Sequence, residues 1–231
     1  MQRWWRRLRR YEILDGAENE FQAGSGGRVL RNKLGLTDPL EAERRETELL
    51  SFAYLESFQW VDTSLQFTAK LICDMHHRWL GELYPSAGQY RKINMSKGGF
   101  LFCPAENLSA EMDRFEREIL AVHTPCVGLN DASLDFQELA LRTSIVHAEL
   151  ILIHPFREGN GRIGRWLADL MVLQNGLRSP AYELKDEAQG QQYYSALRKA
   201  FTGNIMDLAG LFLAWIEDAQ KSPREVPKAE P

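Results

Sequence analysis

Apolar residues recur at the three- and four-residue spacing of an amphipathic helix, and this periodicity limits the fold more than any other feature of the sequence. On the first such segment, for example, Leu40, Leu49 and Ala53 are expected to share one buried side. The pattern predicts helices over residues 38–58, 63–81, 104–122, 133–153, 160–175 and 207–219. An all-α bundle is therefore expected.

One stretch, residues 90–102, does not follow the helical pattern. Gly98 and Gly99 separate two short apolar runs there, as in a two-stranded hairpin, because glycine adopts the backbone angles of a tight turn. The sequence therefore predicts one small β-hairpin beside the helices.

The chain of 231 residues is long enough to bury one sizeable core. Residues 1–33 are predicted to be a partly flexible N-terminal arm, since residues 15–28 are rich in glycine and poor in apolar anchors. Residues 34–220 would form the single domain. Residues 221–231 carry prolines among charges and are predicted to be a flexible tail.

Charge and cysteine content argue against several classes of protein. A formal net charge of -4 gives no general attraction to nucleic acid. The arginines and tryptophans of residues 3–10 are interpreted as a solvated arm, and no long apolar stretch follows that suits a signal sequence or a membrane span. The three cysteines lack metal-ligand spacing and fit a reducing compartment. We predict a cytoplasmic protein with no membrane contact and no direct nucleic-acid partner.

The chemistry is concentrated in residues 153–165, which read Ile-His-Pro-Phe-Arg-Glu-Gly-Asn-Gly-Arg-Ile-Gly-Arg. Gly159 and Gly161 let successive N–H groups turn toward one anion, and the helix that follows adds its positive end. Arg162 and Arg165 are three residues apart, so both can project toward the same polyphosphate. The segment predicts a phosphate-binding site.

Two further side chains in this segment suit group transfer. Glu158 offers a hard oxygen ligand to a magnesium ion that is held mainly by substrate phosphates. His154 can take a proton from an attacking hydroxyl, since the ordinary pKa of histidine is about 6.5. Taken alone, His154 also fits a buried structural histidine and Glu158 a helix cap. Their position beside the glycines and arginines favours the catalytic interpretation.

Three glycines of the segment, Gly159, Gly161 and Gly164, also satisfy the Gly-x-Gly-x-x-Gly pattern of dinucleotide-binding proteins. The apolar positions from Phe136 to Leu150 fit a helix, however, and not the strand that this pattern requires before it. The alternation of strands and helices typical of a doubly wound sheet is also missing. A dinucleotide site is therefore rejected.

The segment resembles the signature of the Fic family, His-x-Phe-x-Asp/Glu-Gly-Asn-Gly-Arg-x-x-Arg, and matches every specified position. The helices around it and the hairpin are also similar to the Fic core, so the resemblance spans residues 34–215. It implies a Fic-fold helical bundle with a β-hairpin flap next to the active-site loop. It also implies a protein adenylyltransferase, which moves AMP from ATP to a Tyr, Thr or Ser hydroxyl of a target protein and releases pyrophosphate.

The resemblance also assigns roles to single residues. His154 would be the general base and Glu158 the ligand of Mg²⁺. Arg162 would stabilise the charge on the leaving pyrophosphate. Phe156 would anchor the loop in the core. The nucleotide would be bound by Gly159, Asn160, Gly161, Arg162 and Arg165, the last of which would fix the terminal phosphate.

In Fic proteins the hairpin flap pairs with an extended segment of the target. The flap predicted to bind the target here consists of Lys92, Ile93, Asn94, Met95, Ser96, Lys97, Gly98, Gly99 and Phe100. Main-chain pairing of this kind gives little side-chain selectivity.

Many Fic proteins carry an inhibitory helix with the pattern Ser/Thr-x-x-x-Glu-Gly/Asn, whose glutamate pairs with the second motif arginine. Neither near match is complete, because residues 37–41 are followed by Ala42 and residues 179–183 by Leu184. We therefore expect Arg165 to be unguarded within the chain and a separate small antitoxin to supply the helix. The chain would be the toxin of a bacterial toxin–antitoxin pair with a type II topoisomerase subunit as its target. A secreted effector that modifies host GTPases is the alternative.

Two alternatives for the activity stay open. The motif residues all address phosphates, so another nucleotide donor such as UTP fits the same site. A non-catalytic nucleotide-binding protein is the other alternative, although such a protein is expected to have lost His154 or Glu158, and both are present.

Overall fold

The computed structural model describes residues 12–13, 20–62, 64–124, 135–182, 184 and 186–221. The Arg/Trp-rich segment, Thr63 and the tail beyond residue 221 lie outside the described residues. The helices are α1 Pro39–Ser57, α2 Ala69–Leu80, α3 Leu108–Arg114, α4 Ala121–His123, α5 Phe136–Ile153, α6 Asn160–Leu173, α7 Glu187–Ala200 and α8 Met206–Lys221. A 3₁₀ turn, Ala105–Asn107, precedes α3, and a π-helical segment, Phe115–Leu120, joins α3 to α4. The predicted all-α class is confirmed.

Acidic or hydroxyl residues fix where four of these helices begin. Asp38, Thr68, Asp135 and Asp186 are N-caps whose side chains accept hydrogen bonds from backbone N–H groups of the first turn. Such caps satisfy donors that have no partner within the helix. The cap at Thr68 means that α2 starts six residues later than the predicted start at residue 63.

Helix α7 was not predicted from the sequence. Its buried side is formed by Gly190, Tyr193, Ala196 and Leu197, and the remaining positions are mostly polar. A glycine and an alanine contribute little to an apolar periodicity, so the helical pattern is weak here. The helix is stabilised by packing against α8 and by its Asp186 cap.

The predicted hairpin is confirmed, with strands β2 Met95–Lys97 and β3 Phe100–Leu101 paired antiparallel. Gly98 and Gly99 form the turn with φ angles of 56° and 77°. Positive φ at both central residues is the geometry of a type I′ turn, which matches the twist of the strands. A third strand that the sequence did not predict, β1 Glu12–Ile13, pairs antiparallel with β2, so the sheet order is β1-β2-β3.

The long apolar helix α5 lies at the centre of the bundle and packs on α6 and α8. Leu139, Val146 and Leu150 on α5 are fully buried, as are Leu167 on α6 and Phe212 on α8. Within the part of the chain that the structure describes, no helix combines the length and the apolar character needed to span a membrane. The core therefore fixes the end of α5 against the start of α6, which is where the Fic-like segment lies.

A pair of helical glycines tests the packing of α5 on α6. A Cβ atom at Gly164 would lie 3.1 Å from both His147 and Ile151, whereas a Cβ at Gly210 meets nothing within 4 Å. Gly164→Val should therefore lower the free energy of unfolding by about 1–3 kcal/mol through overpacking. The matched variant Gly210→Val should change it by less than about 0.5 kcal/mol. Urea denaturation measures both, and equal effects would contradict the close packing at Gly164.

Candidate active site

Asn160 closes the loop that joins α5 to α6. Its Oδ1 accepts a hydrogen bond of 2.9 Å from the backbone N–H of Phe156, and its Nδ2 donates one of 2.7 Å to the Phe156 carbonyl. The side chain is buried and holds the turn in one conformation. Any contact of Asn160 with a phosphate would therefore come from its backbone N–H at the start of α6.

His154 ends α5 in the left-handed conformation, with φ 55° and ψ 58°. It is the one residue other than glycine with positive φ among those the structure describes. Such a conformation costs roughly 1–3 kcal/mol and is concentrated at functional sites. His154 Nδ1 donates to the Ile151 carbonyl at 3.1 Å, so Nε2 is the nitrogen of the neutral ring that can accept a proton.

The surroundings keep the His154 ring neutral. Burial lowers the pKa of His154 to about 3, and the positive charges of Arg91 and Lys97 contribute in the same direction. The Phe102 ring stacks on the imidazole with ring centroids 3.8 Å apart and an interplanar angle of 14°. The ring is therefore deprotonated at neutral pH, which is the state that the predicted general base needs.

Arg91 connects the flap to the motif loop, a role that the sequence did not reveal. It is buried, and its guanidinium donates to the carbonyls of His154 at 2.8 Å and Ile93 at 2.6 Å, and also to the carbonyl of Cys103. Its backbone N–H donates to the Pro155 carbonyl at 2.8 Å. The guanidinium is planar and carries several N–H donors, so this one side chain fixes the strained end of α5 and both ends of the hairpin segment.

Gly159 lies at the start of the predicted phosphate cradle, and its conformation requires glycine. Its φ is 84°, and a Cβ atom here would lie 2.6 Å from the Trp79 ring. The backbone next enters α6, where the first N–H groups have no partner within the helix. Arg162 and Arg165 stand on the first turns of the same helix. The predicted cradle and the two arginines are therefore brought together.

Glu158 lies beside this cradle and is nearly buried. Its Oε1 accepts from the Gly159 N–H at 3.0 Å and lies 3.3 Å from Arg162 Nη2. In the described ranges, no group of three or more His, Cys, Asp or Glu side chains is arranged to hold a metal. A single carboxylate beside a phosphate cradle fits magnesium held mainly by the nucleotide's phosphates, and not a protein cage.

His76 supports the loop from α2. Its Nε2 donates to the Glu158 carbonyl at 3.0 Å, and its Nδ1 accepts from the Gly88 N–H at 2.8 Å. Its ring stacks on Phe156, which is fully buried, with centroids 3.9 Å apart. Burial lowers the pKa of His76 to about 4, so the ring stays neutral in this position. Phe156 thus has the surroundings expected of a core anchor.

The sequence also gave no role to Glu46 on α1. Its Oε2 lies 2.8 Å from Arg162 Nη2, and the carboxylate is fully buried. A signal was present in the spacing, because Ala42, Glu46, Leu49 and Ala53 form the buried side of α1. A charged residue on an otherwise apolar side requires a partner. Leu40, by contrast, is half exposed, so its predicted place on that side is wrong.

Arg165 faces a cavity between α1 and α6. The cavity has a volume of about 420 Å³ and is lined by Leu50, Ser51, Tyr54, Leu55, Arg162, Arg165, Trp166, Asp169 and Tyr182. Arg162 forms ion pairs with carboxylates. Among the described residues, no carboxylate lies within ion-pair distance of Arg165. Burial raises the pKa of Asp169, one turn along α6, to about 7.

The flap packs against α7 and reaches the motif. Phe100 stacks on Phe201 with ring centroids 4.8 Å apart, and Lys97 Nζ lies 5.2 Å from the centroid of the Tyr194 ring. Phe102, just beyond β3, is the residue that stacks on His154. The predicted flap is therefore adjacent to the predicted base, and its role in target binding stays a prediction.

The helical fold, the hairpin and the loop that leads into α6 with Arg162 and Arg165 have the arrangement that the Fic signature implies. The model of the Fic/DOC family matches residues 66–172. The chain is 31% identical over 186 residues to the "Probable protein adenylyltransferase y4lH" of Sinorhizobium fredii, which covers 80% of this chain and 89% of that protein. The chain therefore belongs to the Fic/DOC family, and its enzyme class is that of the nucleotidyltransferases.

Two further similarities agree with this assignment. Protein adenylyltransferase VbhT of Bartonella schoenbuchensis is 30% identical over 157 residues, which are 67% of this chain and only 30% of that longer protein. The structure is also similar to that of the BepC protein of Bartonella tribocorum with bound AMPPNP, with a TM-score of 0.66 and 20% identity over 86% of this chain and 96% of that one. The structural likeness supports the fold.

The protonation state of His154 can be measured directly. Because burial holds its pKa near 3, ¹³C-edited NMR of the histidine Cε1–H groups should show no titration of the His154 signal between pH 7.5 and pH 5. His154→Ala assigns the signal. The folded pKa lies below that of the unfolded chain, so the folded state should also lose stability as the pH falls below about 6.5. A titration midpoint near that value would contradict the desolvated base.

Proposed function

We propose that the protein transfers AMP from ATP to a hydroxyl side chain of a target protein and releases pyrophosphate. The observation that carries this proposal is the neutral, buried His154 at the edge of a phosphate cradle that holds both motif arginines. The relatives named protein adenylyltransferases, and the AMPPNP bound to the BepC structure, support adenosine nucleotide as the donor.

In the proposed reaction, His154 Nε2 takes the proton of the target hydroxyl as its oxygen attacks the α-phosphorus of ATP. The new bond joins that oxygen to the α-phosphorus, and the bond from the α-phosphorus to the bridging oxygen breaks. Pyrophosphate leaves with the electron pair. The backbone N–H groups at the start of α6 and the Arg162 guanidinium stabilise the negative charge that develops on the phosphates. Arg165 holds the terminal phosphate.

Glu158 is the residue that would hold magnesium. The ion would neutralise phosphate charge and orient the polyphosphate, which is the usual role of this metal in phosphoryl-type transfer. Glu158 itself is kept in place by the Gly159 N–H and by Arg162, so its carboxylate is oriented before the nucleotide binds.

The target would bind as an extended segment beside the flap. Strand β2 has a neighbour on each side, β1 and β3, so within the flap the outer edge of β3 is the one at which a further strand could pair. A segment added there would be held mainly by main-chain hydrogen bonds. Phe102 follows β3 directly and stacks on His154, which places this edge next to the base.

Two other activities fit the same site and are distinguished by experiment. Another nucleotide such as UTP would use the same cradle, because the residues described above address phosphates. A non-catalytic nucleotide-binding protein would bind ATP without transfer. The buried, neutral state of His154 favours catalysis over binding alone, since burying an ionisable side chain in a strained conformation is costly to stability.

Incubation of the purified protein with Mg²⁺ and α-labelled ATP in a bacterial lysate should place label on protein. His154→Ala should reduce the rate of labelling by about 10²–10⁴-fold, the usual contribution of a general base. His123→Ala on α4 is the matched control and should label normally, because His123 lies on another helix. Label from UTP but not from ATP would show a different donor. Binding of ATP without any transfer would favour the non-catalytic alternative.

We further propose that the protein is the cytoplasmic toxin of a bacterial toxin–antitoxin pair, with a type II topoisomerase subunit as the modified target. A small antitoxin would supply the glutamate that pairs with Arg165. The cavity beside Arg165, between α1 and α6, supports this proposal because it leaves space next to the guanidinium. A secreted effector directed at host GTPases is the alternative role.

If the inhibitory helix comes from another protein, the isolated chain should be active without any change. Glu41→Gly and Glu183→Gly, at the two near matches to the inhibitory pattern, should then alter the labelling rate by less than about threefold. Initial rates with α-labelled ATP measure this. An increase of tenfold or more for either variant, on the order of 1.4 kcal/mol, would show inhibition within the chain.

A further inference from the structure

We propose that Glu46 is a positioning residue for Arg162, and that its buried carboxylate orients the guanidinium for the leaving pyrophosphate. The inference rests on the proposed function, because it concerns how one arginine of that site is held. It assigns a part in the reaction to helix α1, which lies outside residues 66–172 matched by the family model.

The carboxylate of Glu46 is held from two sides. Its Oε2 lies 2.8 Å from Arg162 Nη2, and its Oε1 accepts a hydrogen bond of 2.6 Å from the Tyr84 hydroxyl. The side chain is fully buried, whereas the Arg162 side chain is 22% exposed. The buried carboxylate therefore fixes one end of a guanidinium that still reaches the surface of the site.

The face of the same guanidinium is fixed by Trp79. Arg162 Cζ lies 4.4 Å from the centroid of the Trp79 ring, and the indole N–H donates to the Glu46 carbonyl at 2.8 Å. Glu46 thus orients Arg162 directly through its carboxylate and indirectly through the tryptophan. The Trp79 ring also lies against Gly159, so the phosphate cradle and the arginine share one support.

The two carboxylates near Arg162 are at different distances. Nη2 is 2.8 Å from Glu46 but 3.3 Å from Glu158. If Glu46 lost its charge, Glu158 would be the remaining anionic partner in the described part of the site, and the guanidinium would be drawn toward it. Arg162 would then point away from the pyrophosphate, and Glu158 would be less able to bind magnesium.

Stability alone is a weak reason for such a pair. Burying a carboxylate carries a large desolvation cost, and a well-packed apolar pair of similar volume is often at least as stable. The property that the ion pair adds is a fixed direction for the guanidinium. Preorganised charge of this kind is what stabilises a transition state without reorganisation during the reaction.

Glu46 also differs from an inhibitory glutamate. The inhibitory pattern of the family directs its glutamate to the second motif arginine, which is Arg165 here, whereas Glu46 pairs with the first, Arg162. The two roles predict opposite signs. Removing an inhibitory carboxylate raises activity, whereas removing a positioning carboxylate lowers it.

The test is a double-mutant cycle of Glu46→Gln and Arg162→Ala, with AMP transfer measured as kcat and as KM for ATP. Glu46→Gln should lower kcat by about 10- to 100-fold, the usual effect of losing an outer-shell support, and change KM by less than about threefold. In the Arg162→Ala background it should have almost no further effect, because residues that act as a unit are not additive. The proposal would be overturned if the losses in kcat of the two single variants multiplied in the double variant. A rise in activity of Glu46→Gln would also overturn it.

Glu48→Gln is the matched control on the same helix, since it removes a carboxylate that pairs with Arg44 and Arg45 at the surface without touching Arg162. It should lower kcat by less than about threefold. If Glu46→Gln does not fold, Glu46→Asp keeps the charge and withdraws it from Arg162, and it should lower kcat in the same direction. A folded Glu46→Asp enzyme with unchanged kcat would overturn the proposal.

A measurement without turnover separates this inference from the proposed function. In ¹⁵N NMR, an immobilised guanidinium gives a resolved Nε–H signal, which Arg162→Lys assigns. That signal should be present in the wild type and lost or broadened in Glu46→Gln. An unchanged signal would overturn the positioning role. Absence of AMP transfer by the wild type would instead reject the proposed function, with the positioning role still decided by this signal.

Discussion

The strained turn at His154 is the constraint on which the rest of the site depends. A left-handed residue at the end of α5 lets the chain reverse into α6, and the Asn160 side chain and the Arg91 guanidinium bond to the backbone carbonyls and N–H groups that this turn exposes. A buried carbonyl without a donor costs about 1–3 kcal/mol, so these two side chains offset much of the strain. His154, the start of α6 and the hairpin are therefore fixed relative to one another by a few buried hydrogen bonds.

Burial gives the charged and titratable groups of this region different roles. His154 and His76 are held neutral because burial removes their hydration, and the attraction of the Glu158 carboxylate offsets only part of that loss. For His154 this is the state that the proposed general base needs. Arg162 forms ion pairs with Glu46 and Glu158 and lies partly exposed. In the proposed reaction, the acid–base group and the fixed positive charge would thus be in place before the substrate arrives, which is the arrangement that electrostatic catalysis requires.

The sequence predicted what local patterns determine and missed what distant contacts determine. Five of the six predicted helices, and the loop that contains the motif, lie close to where they were expected, because periodicity and glycine placement are local signals. Helix α7 was missed because its buried side is formed partly by Gly190 and Ala196. Arg91 bonds to the His154 carbonyl 63 residues away, a contact that no spacing rule encodes. Glu46 lies in a run of charged residues that resembles a solvated helix face. Its spacing from Leu49 and Ala53 nevertheless puts it on the buried side of α1.

The sheet order also bears on how a target would be selected. Strand β1 covers one edge of β2, so a target segment that pairs with the flap would meet β3 among the strands described. Main-chain pairing does not discriminate between sequences, and Gly98 and Gly99 at the turn offer no side chains. Leu101 on β3 is 64% exposed and is the apolar side chain that such a segment would meet. Selectivity in this arrangement would depend less on the flap than on whether a hydroxyl on the added segment reaches His154 Nε2, a geometric requirement that few positions on a folded target satisfy.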